Sequence, residues 1–351
     1  MHLFIRKAGF AFPMKHIPIP PDPFPHFRLE NMANSATAGL VHAKRAFEGA
    51  IGLLPSKARN PFSPDGSNAV LNVEMFGGDD DSDWPYLLFV HGICESAETW
   101  TVQRLAIACK ENKCRLAVLE LEGHGLSTGK RSVCGSFERL CHSVNSFIQH
   151  IISGKDSGIS FVICGSSLGG ILAAYGADFV MKKRKEPGSP FQKFLGAIPI
   201  VPAVGIAPEA VPSAPIVRAL SIFAAIAPST GILTPKEDPS HYACPANTQR
   251  NFKGQWPLST SKMLLDVTSS TVKTDLSQGR LIIDYPLLVI AGEKDRIVPL
   301  KSVEEFFCSA QSKNKSMFVI PKGDHGLMVE ERTAKIAIQR VFEWIKTELT
   351  Q

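Results

Sequence analysis

A serine hydroxyl is a poor nucleophile at neutral pH, so a chain that uses one must hold it beside a base and must orient that base with a carboxylate. One pentapeptide suits the first task. Gly165-Ser166-Ser167-Leu168-Gly169 is a G-x-S-x-G placed directly after the apolar run FVIC and before a helical stretch rich in small residues. In that setting the turn is tight, its central residue takes strained backbone angles, and small neighbours let strand and helix approach. The Ser167 hydroxyl is thereby held out at a helix N-terminus. Ser166 is the competing hydroxyl and occupies the wrong position of the motif.

The chain has ten histidines from which a base can come. His2, His16 and His26 lie near the N-terminus, and His42, His142 and His150 lie on helical patterns, where histidines are usually solvated or satisfied. His325 follows the last apolar strand pattern in the loop PKGDHGLM, with small neighbours that leave the imidazole free to reach inward. Asp295 follows the strand pattern PLLVIAG in the loop EKDRIVP. The chain order Ser167, Asp295, His325 is the one that accompanies a strand-turn-helix nucleophile. Glu293 and Asp324 compete for the role of the acid; Asp324 adjoins His325 and is poorly placed to reach its Nδ1.

The negative oxygen that forms on attack needs N–H groups aimed at it. Leu168, the residue after the nucleophile, supplies one. The loop after the strand pattern YLLFV, beginning His91-Gly92-Ile93, is expected to supply the second through Ile93, with Gly92 letting that backbone come close. Cys94 is read as a buried thiol.

From about residue 67 the chain alternates strand and helix patterns, as a mostly parallel sheet covered by helices on both faces does. Strands are expected at AVLNVEMFGG, Tyr86 to Val90, Cys114 to Leu121, Ile159 to Cys164, FLGAIPIVPAV, YPLLVIAG and SMFVIP. Phe137, Leu140, Val144, Phe147, Ile148 and Ile151 mark a helix with one apolar face, and AKIAIQRVFEWIKTEL a closing one. Residues about 201–280 break the alternation and read as an inserted helical cap above the carboxyl ends of the strands. Its apolar Ile216, Leu220, Ile222 and Phe223 either line a site for an acyl chain or form the cap's own core.

Residues 1–66 read as an extension. HIPIPPDPFPHF has five prolines in twelve residues, an extended linker, and Leu40, Ala43, Phe47, Ala50, Ile51 and Leu54 predict an amphipathic helix over about 33–54. This segment holds eight Lys or Arg against four acids, hence an excess of four out of the chain's net +5. The remainder is nearly neutral, which argues against a nucleic-acid footprint. No apolar run reaches the roughly 20 residues of a membrane span. The eight cysteines show no C-x-x-C or other metal-closing spacing and are expected to be free thiols in a reducing compartment.

Together with Thr99-Trp100, Glu122-Gly123-His124-Gly125-Leu126-Ser127-Thr128-Gly129, Gly292 with Asp295, and Gly323-Asp324-His325-Gly326, the elbow and the His91-Gly92 loop make the chain resemble the α/β-hydrolase superfamily over about residues 68–350. Within it, the resemblance is to the monoacylglycerol lipase and lysophospholipase-like group. Glu120 stands where that group usually has Asp, Ser166 where it often has His or Glu, and the loop Ile93-Cys94-Glu95-Ser96 is not typical of it. The resemblance implies an α/β-hydrolase fold with a mobile cap, and a serine esterase of lipid metabolism acting through an acyl-enzyme with no metal or organic cofactor. His124 reads as structural. The expected partner is a small ester or lipid substrate, with peripheral membrane contact through the N-terminal helix or the cap and a cytoplasmic location, organelle targeting by the extension staying open. A non-hydrolytic ligand receptor on the same fold, or a peptidase or acyltransferase using the same triad, are the rival readings.

Overall fold

The computed structural model describes residues 58–77, 83–153, 158–208, 211–233 and 255–350. All belong to the unit Ala36–Gln351, the larger of two into which the chain divides. The expected proline-rich linker, the helix over 33–54 and Cys244 lie outside the described residues.

The chain runs β1 (Ala58–Arg59), β2 (Asn72–Phe76), β3 (Tyr86–Val90), α1 (Trp100–Glu111), β4 (Arg115–Glu120), α2 (Phe137–Ser153), β5 (Phe161–Ser166), α3 (Leu168–Arg184) and β6 (Phe194–Ile200). An insertion follows, with α4 (Ala214–Ile226), β7 (Gly231–Leu233), β8 (Trp256–Pro257), α5 (Leu258–Asp266), a π-helical turn (Val267–Thr271) and α6 (Val272–Ser277). The chain then returns as β9 (Leu287–Gly292), α7 (Leu300–Ser309), β10 (Lys315–Ile320) and α8 (Glu331–Leu349). The main sheet has the order β1-β2-β4-β3-β5-β6-β9-β10; β2 is antiparallel to both neighbours and the other pairings are parallel. This is the α/β-hydrolase fold expected from the alternating patterns.

Strands covered on both faces read as continuous apolar runs, and the pleat sorts their residues between two cores. Tyr86, Leu88 and Val90 of β3, Phe161 and Ile163 of β5, and Leu287, Val289 and Ala291 of β9 pack on one face against α2, α3 and α7. Leu87, Phe89, Val162, Cys164, Leu288 and Ile290 pack on the other against α1 and α8. Each fully buried Leu, Ile, Val or Phe contributes about 1.5–3 kcal/mol, so this double layer fixes the strands on which the loops above depend.

The expected boundary after residue 66 falls inside the sheet's first hairpin. Ala58 and Arg59 pair with Met75 and Glu74, and Phe62 bridges to Leu71, so the hydrolase body begins by residue 58. Two residues of pairing are too few to leave an alternating pattern, which is why the sequence places them in the extension.

The insertion is pinned to the body by Thr260 of α5. Its hydroxyl accepts the Cys134 N–H at 2.9 Å and donates to the Ser132 carbonyl at 2.5 Å, both in the segment that follows β4. Within it, Leu220 of α4 packs with Leu258 and Leu265 of α5. In the π-helical turn Thr268, Ser269 and Ser270 donate to the carbonyls of Leu264, Leu265 and Asp266, four residues back. Such back-bonding competes with the regular α ladder.

Candidate active site

The parallel strands deliver three of the predicted residues to one edge of the sheet. Ser167 follows β5, Asp295 follows β9 and His325 follows β10. Ile320 lies opposite Gly292 at the ends of β10 and β9, so the loops carrying His325 and Asp295 leave the sheet side by side.

Ser167 has φ 54° and ψ −116°, the strained geometry expected of the turn. The surroundings dictate its glycines. A Cβ on Gly165 would strike the Gly169 carbonyl, and one on Gly169 would strike the carbonyls of Val90 and His91. The strain is held by backbone bonds: the Ser167 N–H donates to Ile200 O at 2.9 Å, and its carbonyl accepts the Gly170 and Ala203 N–H groups at 3.0 Å each.

The His325 imidazole bridges the two other residues. Its Nδ1–H donates to Asp295 Oδ2 at 2.8 Å, which leaves Nε2 as the acceptor for the Ser167 hydroxyl at 3.0 Å. A carboxylate can only accept, so it selects this tautomer. The other carboxylate oxygen, Asp295 Oδ1, accepts the Ile297 and Val298 N–H groups at 2.8 and 2.9 Å. The side chains of His325 and Asp295 are 10% and 2% exposed, so little water competes for these bonds. The rival acids are engaged elsewhere: Asp324 accepts the Gly326 N–H, and Glu293 accepts the Lys322 N–H.

Both expected oxyanion donors have the required freedom. Leu168 opens α3, where the first N–H groups have no intrahelical partner, and neither its N–H nor that of Ile93 has an acceptor among the described residues. Ile93 lies in a tight turn from Gly92 to Glu95, with Cys94 at φ 62°. Three side chains hold that turn. The His91 Nδ1–H donates to Gly92 O at 2.7 Å while its Nε2 accepts the Leu121 N–H. His124 Nε2 accepts the Cys94 N–H at 3.1 Å, which gives the imidazole the structural role read from sequence. Glu95 Oε2 accepts the Gly92 N–H at 2.6 Å.

Burial keeps both turn-holding imidazoles neutral, pulling His91 from 6.5 down to about 4 and His124 to about 3. Burial also pushes the Cys94 thiol up to about 11 and the Glu95 carboxyl up to about 7. The parts played by His91 and Glu95 are not foreseen from sequence. The available signal is a Glu three residues after Gly92, the reach by which a capping-box Glu finds a backbone N–H.

The four cap residues read as lining an acyl-chain site or forming the cap's own core divide in the structure. Leu220 belongs to the cap's own small core. Ile216, Ile222 and Phe223 are 58%, 60% and 56% exposed, so in this structure they face solvent. Helical spacing marked them as apolar but does not say which face the cap turns inward. The seven described cysteines are all free, and among the described residues no cluster of His, Cys, Asp and Glu is arranged to hold a metal ion.

A family model described as serine aminopeptidase, S33, matches residues 85–332. Among solved structures, a soluble variant of monoglyceride lipase from Saccharomyces cerevisiae, in complex with a substrate analog, superposes with a TM-score of 0.67 at 17% identity. The match covers 84% of this chain and 96% of that one. The monoacylglycerol lipase of Paleococcus ferrophilus gives 0.60 at 18% identity, covering 79% and 99%. These likenesses establish the fold. Mouse protein phosphatase methylesterase 1 is 32% identical over 96 residues, 27% of this chain and 24% of that protein, so the chain spans about a quarter of that relative's length.

Proposed function

We propose the following reaction for this chain, which belongs to the serine aminopeptidase S33 family of α/β-hydrolases: cleavage of a carboxylic ester through an acyl-enzyme on Ser167. The observation that carries it is the continuous line from Ser167 Oγ through the His325 ring to Asp295, with spacings of 3.0 and 2.8 Å. Ser167 Oγ bonds to the ester carbonyl carbon as its proton passes to His325 Nε2. The N–H groups of Ile93 and Leu168 bind the resulting oxyanion, and Asp295 stabilises the imidazolium. When the carbonyl re-forms, the C–O bond to the alcohol breaks and His325 returns the proton to the departing alkoxide. Water, giving its proton to the same nitrogen, then releases the acid and regenerates Ser167.

The substrate class we favour is a monoacylglycerol or lysophospholipid. Its support is the likeness of the fold to two monoacylglycerol lipases and the apolar cap. On α4, Ile216, Ile222, Phe223 and Ile226 are exposed together, which suits a cap that rests on a lipid surface to take up its substrate. A second reading, hydrolysis of a methyl ester on a protein carboxylate, is favoured by the 96-residue match to protein phosphatase methylesterase 1. Turnover of a panel of monoacylglycerols, lysophospholipids, peptide methyl esters and aminoacyl amides separates these. Lipid ester cleavage supports the first reading; exclusive cleavage of methyl esters or amides overturns it.

A further inference from the structure

We propose that Glu95 is a positioning residue for this reaction, holding the oxyanion turn and facing His325 as a second carboxylate, so that turnover requires it in its ionised form. The inference rests on the ester-hydrolase reading above. Its basis is the seating of the side chain. Glu95 is 8% exposed, and its Oε2 accepts the Gly92 N–H at 2.6 Å, its only hydrogen-bond donor among the described residues. A Cβ on Gly92 would stand 2.9 Å from that oxygen and 3.4 Å from the Ser166 carbonyl, so Gly92 is held between the carboxyl and the end of β5. The next N–H along the chain is the Ile93 oxyanion donor. A hold on Gly92 is therefore a hold on that donor's direction.

The charged and titratable groups around Glu95 are few. His325 attracts it from the loop after β10, and Cys94 adjoins it on its own turn. His91 and His124 hold the turn and are neutral, and Asp295 is bonded to the other nitrogen of the His325 ring. Burial raises the Glu95 carboxyl to about 7, against the lowering effects of the Gly92 N–H and His325. Its protonation therefore changes near neutral pH. When His325 becomes imidazolium in the transition state, an ionised Glu95 stabilises it and a protonated one does not.

The test is the pH dependence of kcat and kcat/KM from pH 5 to 9 on p-nitrophenyl butyrate, for the wild type, Glu95→Gln and Glu95→Ala. Fluorophosphonate labelling of Ser167 and melting temperature serve as controls. In the wild type the acid limb of log(kcat/KM) should steepen toward a slope of two, because His325 and Glu95 must both lose a proton. Glu95→Gln keeps an acceptor for Gly92 but, like a protonated Glu95, carries no charge, so it should show a slope of one and a plateau kcat/KM below that of the wild type. Glu95→Ala should lose about 10²-fold in kcat with KM little changed, since an oxyanion donor acts on the transition state, and Glu95→Gln, which restores the hold on Gly92 but not the charge, should lose less than Glu95→Ala and still fall below the wild type at pH 8. A Glu95→Gln profile that superposes on the wild type overturns the proposal. So does an alkaline decline that only the wild type shows. If Glu95→Ala does not fold, the comparison of wild type with Glu95→Gln decides alone. A wild type that neither labels nor turns over refutes the ester-hydrolase reading and removes the role of Glu95 with it.

Discussion

The Glu120 carboxylate occupies the place where a Cβ on Gly125 would stand, at a position whose φ is 52°. That carboxylate accepts the Asn72 side-chain amide at 2.9 Å, the Ala97 N–H at 2.9 Å and the Leu126 N–H at 2.7 Å. It thereby ties β2, the segment before α1 and the loop of His124 to the end of β4. Removing it strips the buried Ala97 N–H and the half-buried Leu126 N–H of their acceptor and leaves the Asn72 amide only Glu74, so Glu120→Ala should cost about 2 kcal/mol or more. Gly125→Ala should destabilise the same loop by steric displacement and by its left-handed backbone. Urea denaturation measures both, and losses under about 1 kcal/mol would show that the loop is held by something else.

Asp295→Asn should preserve the fold, because an Asn carbonyl can still accept the Ile297 and Val298 N–H groups. The amide can also donate to the ring, which favours the tautomer with a proton on Nε2 and removes the base facing Ser167. A loss of about 10⁴ in kcat is expected. Steady-state ester hydrolysis within tenfold of the wild type would exclude Asp295 as the orienting acid.

Stability should depend on pH through the oxyanion turn. As pH falls below 6.5 an unfolded histidine takes up a proton, while folded His91 and His124 resist until about 4 and 3. The unfolded state then binds more protons, so each contributes a loss of up to about 1.4 kcal/mol per pH unit on acidification. Glu95 has the opposite sign: its folded carboxyl protonates near 7 and an unfolded one near 4.5, so it adds stability as pH falls through that interval. In denaturant titrations between pH 6.5 and 4.5, Glu95→Gln should therefore lose stability more steeply than the wild type. Parallel curves would contradict the burial assigned to this carboxyl.

Replacing Ile222 and Phe223 of α4 by Ser removes two of the most exposed apolar side chains of the cap. Co-sedimentation with phosphatidylcholine vesicles should weaken several-fold, while turnover of a soluble ester stays near that of the wild type. Unchanged sedimentation would place the lipid contact elsewhere.

The meeting of Ser167, Asp295 and His325 at one edge could be read from sequence because each follows a strand that is itself a plain apolar run: Phe161 to Cys164 before Ser167, Leu287 to Ala291 before Asp295, and Met317 to Ile320 before His325. Once a parallel sheet is inferred, such positions share an edge. The role of Glu95 is not legible in sequence, because its chemistry comes from burial and from groups distant in the chain, the end of β5 at Ser166 and the charge of His325. The orientation of the cap is not legible in sequence for a related reason. Periodicity identified α4 as apolar, but whether Ile216 or Phe223 faces a substrate depends on how the insertion docks, through the Thr260 hydroxyl, the bond of Tyr175 to Asp275 and the packing of Met263, Val267 and Val272 into the main core, none of which has a sequence signature. The short pairing of Ala58 and Arg59 was lost among prolines and basic residues.

The central claim is that Ser167, activated by His325, is the nucleophile that cleaves an ester. Its most direct measurement is fluorophosphonate labelling and p-nitrophenyl butyrate turnover on the wild type and Ser167→Ala at matched melting temperature. The account predicts stoichiometric labelling at Ser167 with steady turnover in the wild type, and neither in Ser167→Ala. Turnover that survives in a folded Ser167→Ala protein, or a wild type that binds ligand tightly without hydrolysing any ester, contradicts it.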